Sequence, residues 1–165
     1  MARRLLAMVV LGGVLAAASS SAAEPVKLAL FPFELDDFSA AVTGETPADR
    51  AELAAITDEI GRLLTDSGRY QLVDVASADK SHDLRDCNGC DAQIAQELGA
   101  AQSFVGVVKR ISRTEYQVRF QLRDAATGNV LAEADTGLRM GALDSWNRGA
   151  RRLIKERLLA RPVPQ

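Results

Sequence analysis

Residues 116 to 123 alternate without a break. Tyr116, Val118, Phe120 and Leu122 are apolar, and Gln117, Arg119, Gln121 and Arg123 are not. A period of two belongs to a β-strand with one face buried and the other open to water. Such a strand needs a sheet to pair with and a layer to cover one face. The neighbouring sequence supplies the sheet. Residues 103–111 and 26–33 are almost continuously apolar, as strands buried on both faces are. Ala126-Thr127-Gly128-Asn129 reads as a hairpin turn into a strand over 130–136. Residues 70–75 form a further short strand.

The covering layer comes from three segments of helical period. Thr46, Pro47 and Asp49 give an N-cap, a first-turn proline and a capping partner. Leu53, Ile56, Ile60, Leu63 and Leu64 then recur on one face, and Gly68 supplies a left-handed stop. A short helix follows Cys90, with Ile94, Ala95 and Leu98 inward and Gly99 at its end. Asp144 or Ser145 is expected to cap a last helix whose apolar stripe is Trp146, Ala150, Leu153, Ile154 and Leu158. Pro32 cannot donate to a ladder, so pairing should end near it. Residues 34–47 and 76–86 read as loops, and the tail from Arg161, with two prolines, as frayed. The order is β-α-β-α-β-β-β-α. Strands alternating with helices favour parallel pairing, and strands joined by tight turns favour an antiparallel meander. The expectation is an α/β (α+β) domain over residues 24–160, with a single mixed β-sheet and the helices packed on it.

The first 23 residues are set apart from that domain. Arg3 and Arg4 precede an apolar or small run over residues 5–18, and Ser19-Ser20-Ser21-Ala22-Ala23 supplies small residues before Glu24. These are the three parts of a cleaved signal peptide. The run is shorter than the roughly 20 residues a membrane-spanning helix needs. The arginine pair hints at the twin-arginine route, but Leu5-Leu6-Ala7 fits the general secretory route better. Cleavage after Ala23 would leave 142 of the 165 residues. Without Arg3 and Arg4, 18 basic side chains remain against 22 acidic ones, a net charge of −4. An acidic exported chain is a poor binder of nucleic acid. No cysteine stands near the cleavage point for a lipid anchor, and no later segment is apolar enough to span a membrane. The expected place is the periplasm or outside the cell.

The chain has two cysteines, Cys87 and Cys90, spaced C-x-x-C. Export permits a disulfide. The spacing is open to three chemistries. One is a local structural disulfide shaping the turn before the short helix. Another is a redox pair activated by the helix N-terminus, although no proline lies between Pro47 and Pro162 to complete a thioredoxin-like site. The third is a metal site, with His82, the lone histidine, and Asp83, Asp86 or Asp91 as further ligands. Haem attachment is excluded, because Asp91 stands where histidine would follow the second cysteine. Ser81-His82-Asp83 holds hydrolase residue types, but a triad is assembled in space and not by adjacency. Glu34, Asp36 and Asp37 read as a solvated acidic loop. No phosphate loop or metalloprotease motif occurs, and no cofactor is expected. On the last helix Arg148, Arg152 and Lys155 share a face by spacing and are candidates for docking an anionic partner. Arg119 and Arg123 present a similar charged face on the alternating strand.

Several of these pieces together carry a resemblance. They are Phe31-Pro32-Phe33-Glu34-Leu35, Cys87-Asn88-Gly89-Cys90, Glu97-Leu98-Gly99-Ala100, the strand over 104–108 and Asp144-Ser145-Trp146-Asn147-Arg148-Gly149. In this combination the chain resembles the bacterial secreted family labelled domain of unknown function 2380 (also 3280), over nearly all of the mature length. More distantly, the strand opening, Ser67-Gly68-Arg69-Tyr70 and the Thr127-Gly128 hairpin are similar to the amino-terminal domain of TolB, and the layout to curli-secretion and penicillin-binding-protein activator lipoproteins. The resemblance implies a non-catalytic periplasmic accessory or docking protein with a protein partner in the cell envelope. The alternative is a thiol-redox or metal-handling protein acting through Cys87 and Cys90.

Overall fold

The computed structural model describes residues 24–39, 45–78, 83–141 and 143–164. The signal segment 1–23 lies outside the described residues, as do Ser81 and His82. The alternating strand is the long β5 (Glu115–Asp124), and it pairs antiparallel with the apolar β4 (Gln102–Arg110) along the whole of β4. β6 (Val130–Asp135) continues the meander on the far side of β5. On the other side of β4, β1 (Val26–Leu30) and β3 (Tyr70–Leu72) pair parallel, so the strands run in the order β3-β1-β4-β5-β6. The mixed sheet, parallel in its first half and antiparallel in its second, is as the sequence predicts.

Two short strands bring the sheet to seven. β2 (Glu34–Asp37) pairs parallel with the far half of β4, and β7 (Arg139–Met140) pairs antiparallel with the start of β5. The acidic residues 34–37 are therefore strand and not loop. Pairing does stop at Pro32, as expected, and resumes two residues later on the same neighbour. The jog is held by Phe33, whose backbone N–H donates to Thr57 Oγ1 at 2.9 Å. Its ring lies over Gly106 of β4, where an added Cβ would stand 2.3 Å from the ring. Only glycine at 106 leaves room for it.

One face of the sheet carries α1 (Pro47–Asp66) and α3 (Trp146–Ile154), the latter running on into a π-helical turn over Lys155–Leu159. Thr46 and Asp49 form a reciprocal capping box at the start of α1. Leu53, Ile56, Ile60 and Leu64 meet Trp146, Ala150, Leu153, Ile154 and Leu158 above Leu28, Phe104, Val118, Phe120 and Leu122. Each such side chain, fully buried, contributes about 1.5–3 kcal/mol. Ser145 does not cap α3. It has helical backbone angles, being the end of a 3₁₀ turn over Leu143–Ser145, and makes no side-chain capping bond. The far end of α3 is closed from outside: Arg69 donates to Leu159 O at 2.8 Å, placing a cation where the helix dipole is negative. The tail, expected to fray, is held as far as Pro164. Gln102 donates to Pro164 O at 2.9 Å, and Val163 packs on the core.

The opposite face is covered over only part of its width. α2 (Cys90–Glu97) and a 3₁₀ turn over Leu84–Asp86 lie above β1 and β4. Ala95 and the half-buried Ile94 and Leu84 belong to a small apolar layer with Ala29, Phe31, Val105 and Val107. Leu98, expected inward, is only half-buried, whereas Ala92 and Asp91 are buried. An eight-residue helix with alanines on its inner side reaches no further than β4.

A three-way ion cluster ties the layers together. Arg110 of β4 donates to Asp37 of β2 and, at 2.7 Å, to Asp49 of α1, and its guanidinium lies 5.7 Å from the ring centre of Trp146. The Arg110 guanidinium holds the Asp37 carboxyl down at about 2 and is itself raised by that bond.

Candidate functional site: the open face of the sheet

Because α2 stops at β4, the polar face of β5 and β6 is left uncovered. The result is an open groove of about 640 Å3. Its floor is Val105 and Val107 of β4, Arg119, Gln121 and Arg123 of β5, and Glu133 and Asp135 of β6. Its wall is Leu84, Arg85, Asp86, Asn88, Gly89 and Asp91. The alternation in the sequence foretells the exposed side chains of the floor. The wall depends on how far a short helix reaches, and the sequence does not show that.

The wall is built around the cysteine pair. Cys87 and Cys90 form a disulfide with their Cα atoms 5.5 Å apart. Between them Asn88 and Gly89 both have positive φ, 49° and 110°, a reversal that asparagine and glycine adopt at low cost. This turn delivers Cys90 as the first residue of α2 and puts Asn88 and Gly89 against the groove. Glu34 holds the turn from behind: its carboxylate accepts from Leu84 N at 2.7 Å and Arg85 N at 3.0 Å. Burial pushes the Glu34 carboxyl up, while the two backbone bonds oppose that rise. Arg85 reaches Asp83 at 2.6 Å and Asp86 at 3.2 Å, so the acids near the disulfide are already paired with a cation.

At the back of the groove the buried Asp91 accepts from Ser103 Oγ at 2.5 Å. Arg123 Nε stands 3.6 Å from the other Asp91 oxygen, and Arg123 also donates to Gly128 O at 2.9 Å. The first bond fixes α2 to β4, and the long Arg123 side chain reaches back from β5 to meet Asp91. Asp91 thus serves as an anchor of the wall, a role that spacing alone did not reveal. Across the floor Gln121 donates to Glu133 and Gln117 to Asp135. Arg119 is exposed and makes no ion pair among the described residues. No group of three or more His, Cys, Asp or Glu placed to hold a metal occurs among the described residues, of which His82 is not one.

The α3 candidates divide. Arg148 and Arg152 line a second, smaller cleft on the other side of β6, while Lys155 stays outside it, its charge acting on Glu59 of α1. Among the described residues no helix is long and apolar enough to cross a membrane.

A family model described as "Protein of unknown function (DUF2380)" matches residues 26–158. No curated protein matches the chain. Among solved structures, the fold is similar to the C-terminal domain of LpoB from Salmonella enterica, with a TM-score of 0.52 and 14% identity over 73% of this chain and 87% of that one. It is also similar to lipoprotein GNA1162 from Neisseria meningitidis, with a TM-score of 0.50 and 12% identity over 81% of this chain and 99% of that one. TolB from Acinetobacter baumannii aligns over 80% of this chain and 28% of its own, at 13% identity and a TM-score of 0.38. At these identities the likenesses to LpoB and GNA1162 are likenesses of fold.

Proposed function

Since the chain belongs to the family described as protein of unknown function DUF2380, a label that assigns no activity, we propose a role from its surface: an exported, non-catalytic accessory protein that docks a protein partner in the cell envelope. The groove beside the disulfide carries this reading. It is wide and open, it joins an apolar strip to interspersed charges of both signs, and it is formed by rigid strands. Those are the features of a protein-binding patch, with apolar contact at its centre and polar groups around it. A fold shared with a lipoprotein and with the LpoB domain supports the envelope setting.

Site-specific photocrosslinking in the periplasm tests it. A crosslinker replacing Gln121 on the groove floor should give one discrete adduct with an envelope protein, and one replacing the exposed Ala54 on α1 should not. Equal labelling from both positions, or none from Gln121, would overturn the docking reading.

The alternative keeps one supporting observation: the cysteine pair lies at the N-terminus of α2, and the Asn88-Gly89 turn between the two cysteines lines the groove. In that reading Cys87 and Cys90 exchange electrons with, or hand metal to, whatever occupies the groove. A reduction potential below about −300 mV marks a structural disulfide and, with no metal retained after reduction, would end this alternative.

A further inference from the structure

The second cleft lies between α3 and the end of the β6–β7 segment. Four arginines converge on it: Arg139 from β7, and Arg148, Arg152 and Arg157 from α3 and its π-helical extension. Two acids face them. Glu156 takes Arg152 at 2.8 Å, and the charge of Arg157 acts on Asp135. Arg148 reaches only the Ser145 hydroxyl, at 3.3 Å, and neither it nor Arg139 makes an ion pair among the described residues. The cleft therefore carries two cations more than its acids neutralise, in a mature chain of net charge −4. The floor is fixed: the Tyr116 hydroxyl donates to Ser145 O at 3.0 Å, and Gly149 lets α3 close to 3.0 Å on that hydroxyl, measured from the position a Cβ would take.

Leu138 and Met140 neighbour Arg139 in sequence and are 60% and 72% exposed, but alternation along β7 turns Met140 to the face opposite Arg139, and neither lines the cleft. The cleft holds about 220 Å3, below the roughly 300 Å3 at which small-molecule pockets begin. It has room for one or two side chains, not for a whole small ligand. Arginines without an acidic partner, set in a cleft of this size, suit carboxylate side chains, and arginine is enriched among binding hot spots.

We infer that this cleft docks an acidic segment of the partner protein, with carboxylates on Arg139 and Arg148. The inference rests on the docking reading above and adds a second point of contact. Asp135 lines both the groove and the cleft, so a single partner wrapping the end of β6 reaches both.

The probe is a short Glu-rich peptide, titrated into the mature protein and followed by amide shifts. Shifts should map to residues 137–141 and α3. Arg139→Glu with Arg148→Glu should weaken binding by tenfold or more, and Leu138→Ser with Met140→Ser, outside the cleft, should leave it unchanged. All four side chains are exposed, so the fold should survive. A Gln-for-Glu peptide should bind weakly. Equal binding by the neutral peptide or by the double-Glu variant would overturn the inference. So would arginine-dependent binding to phosphatidylglycerol vesicles in place of the peptide, or self-association abolished by the same variants. Persistence of the Gln121 crosslink in the double-Glu variant, with no peptide binding to the parent protein, would remove this site and leave the docking reading standing.

Discussion

At the scale of single residues, Arg110 ties four elements together. It joins two strands and a helix and lies near Trp146 on a second helix, and its two carboxylate partners are nearly buried. Replacing it by Met leaves Asp37 and Asp49 without a counter-charge, a loss that costs about 3–5 kcal/mol in comparable buried pairs. The pH dependence has a definite sign. Asp37 is held at about 2, below its ordinary 3.8, so its contribution is present above pH 3.8 and is lost as pH falls through 2. After discounting for partial solvation it is worth about 1–2 kcal/mol. Asp37→Asn should flatten the acid limb of a stability–pH curve measured by urea denaturation; an unchanged limb would place acid sensitivity elsewhere. Glu34 acts in the other direction. Burial raises its carboxyl, so its ionisation costs stability as pH rises past 4.5 toward the folded value. None of this was legible from the run Glu34-Leu35-Asp36-Asp37, which reads as a solvated loop because its partners, Arg110, Leu84 and Arg85, lie 50 or more residues away.

Among the elements, those with a strong local signal were legible and those defined by a neighbour were not. The capping box and stripe of α1, the alternation of β5 and the stripe of α3 are written in adjacent residues. β2 and β7 are strands only because β4 and β5 extend beyond β1 and β6 and offer unpaired groups. α2 lies between these cases. Its helical period is weak, and the disulfide turn sets where it starts. Closing so small a loop stabilises by about 2 kcal/mol in the chain-entropy model. Replacing Cys87 and Cys90 by serine should therefore lower global stability by no more than about that amount. The larger effect should be local, with faster amide exchange at residues 84–92 and little change in β4 or β5. Uniformly faster exchange would show that the bridge supports the whole sheet. The cysteine pair itself was visible in the sequence. Its position beside a groove was not, since that follows from how little of the sheet an eight-residue helix can cover.

For the whole molecule, the covered face behaves as a closed core and the other face as a partly open one. The C-terminal tail belongs to the closed side. Removing residues 161–165 takes away Val163 and leaves the buried Gln102 amide without its Pro164 partner. An orphaned buried polar group costs about 1–3 kcal/mol. The urea midpoint should drop with the slope unchanged, and an unaltered midpoint would mean that the tail only rests on the surface. The grip of Arg69 on Leu158 and Leu159 spans 89 and 90 positions of chain, and α1 finds its main helical neighbour in α3, the last element of the fold. Contacts so far apart in sequence form late and slowly. During synthesis the early strands can cover one side of the α1 stripe, but its other side stays open to water until α3 has been made.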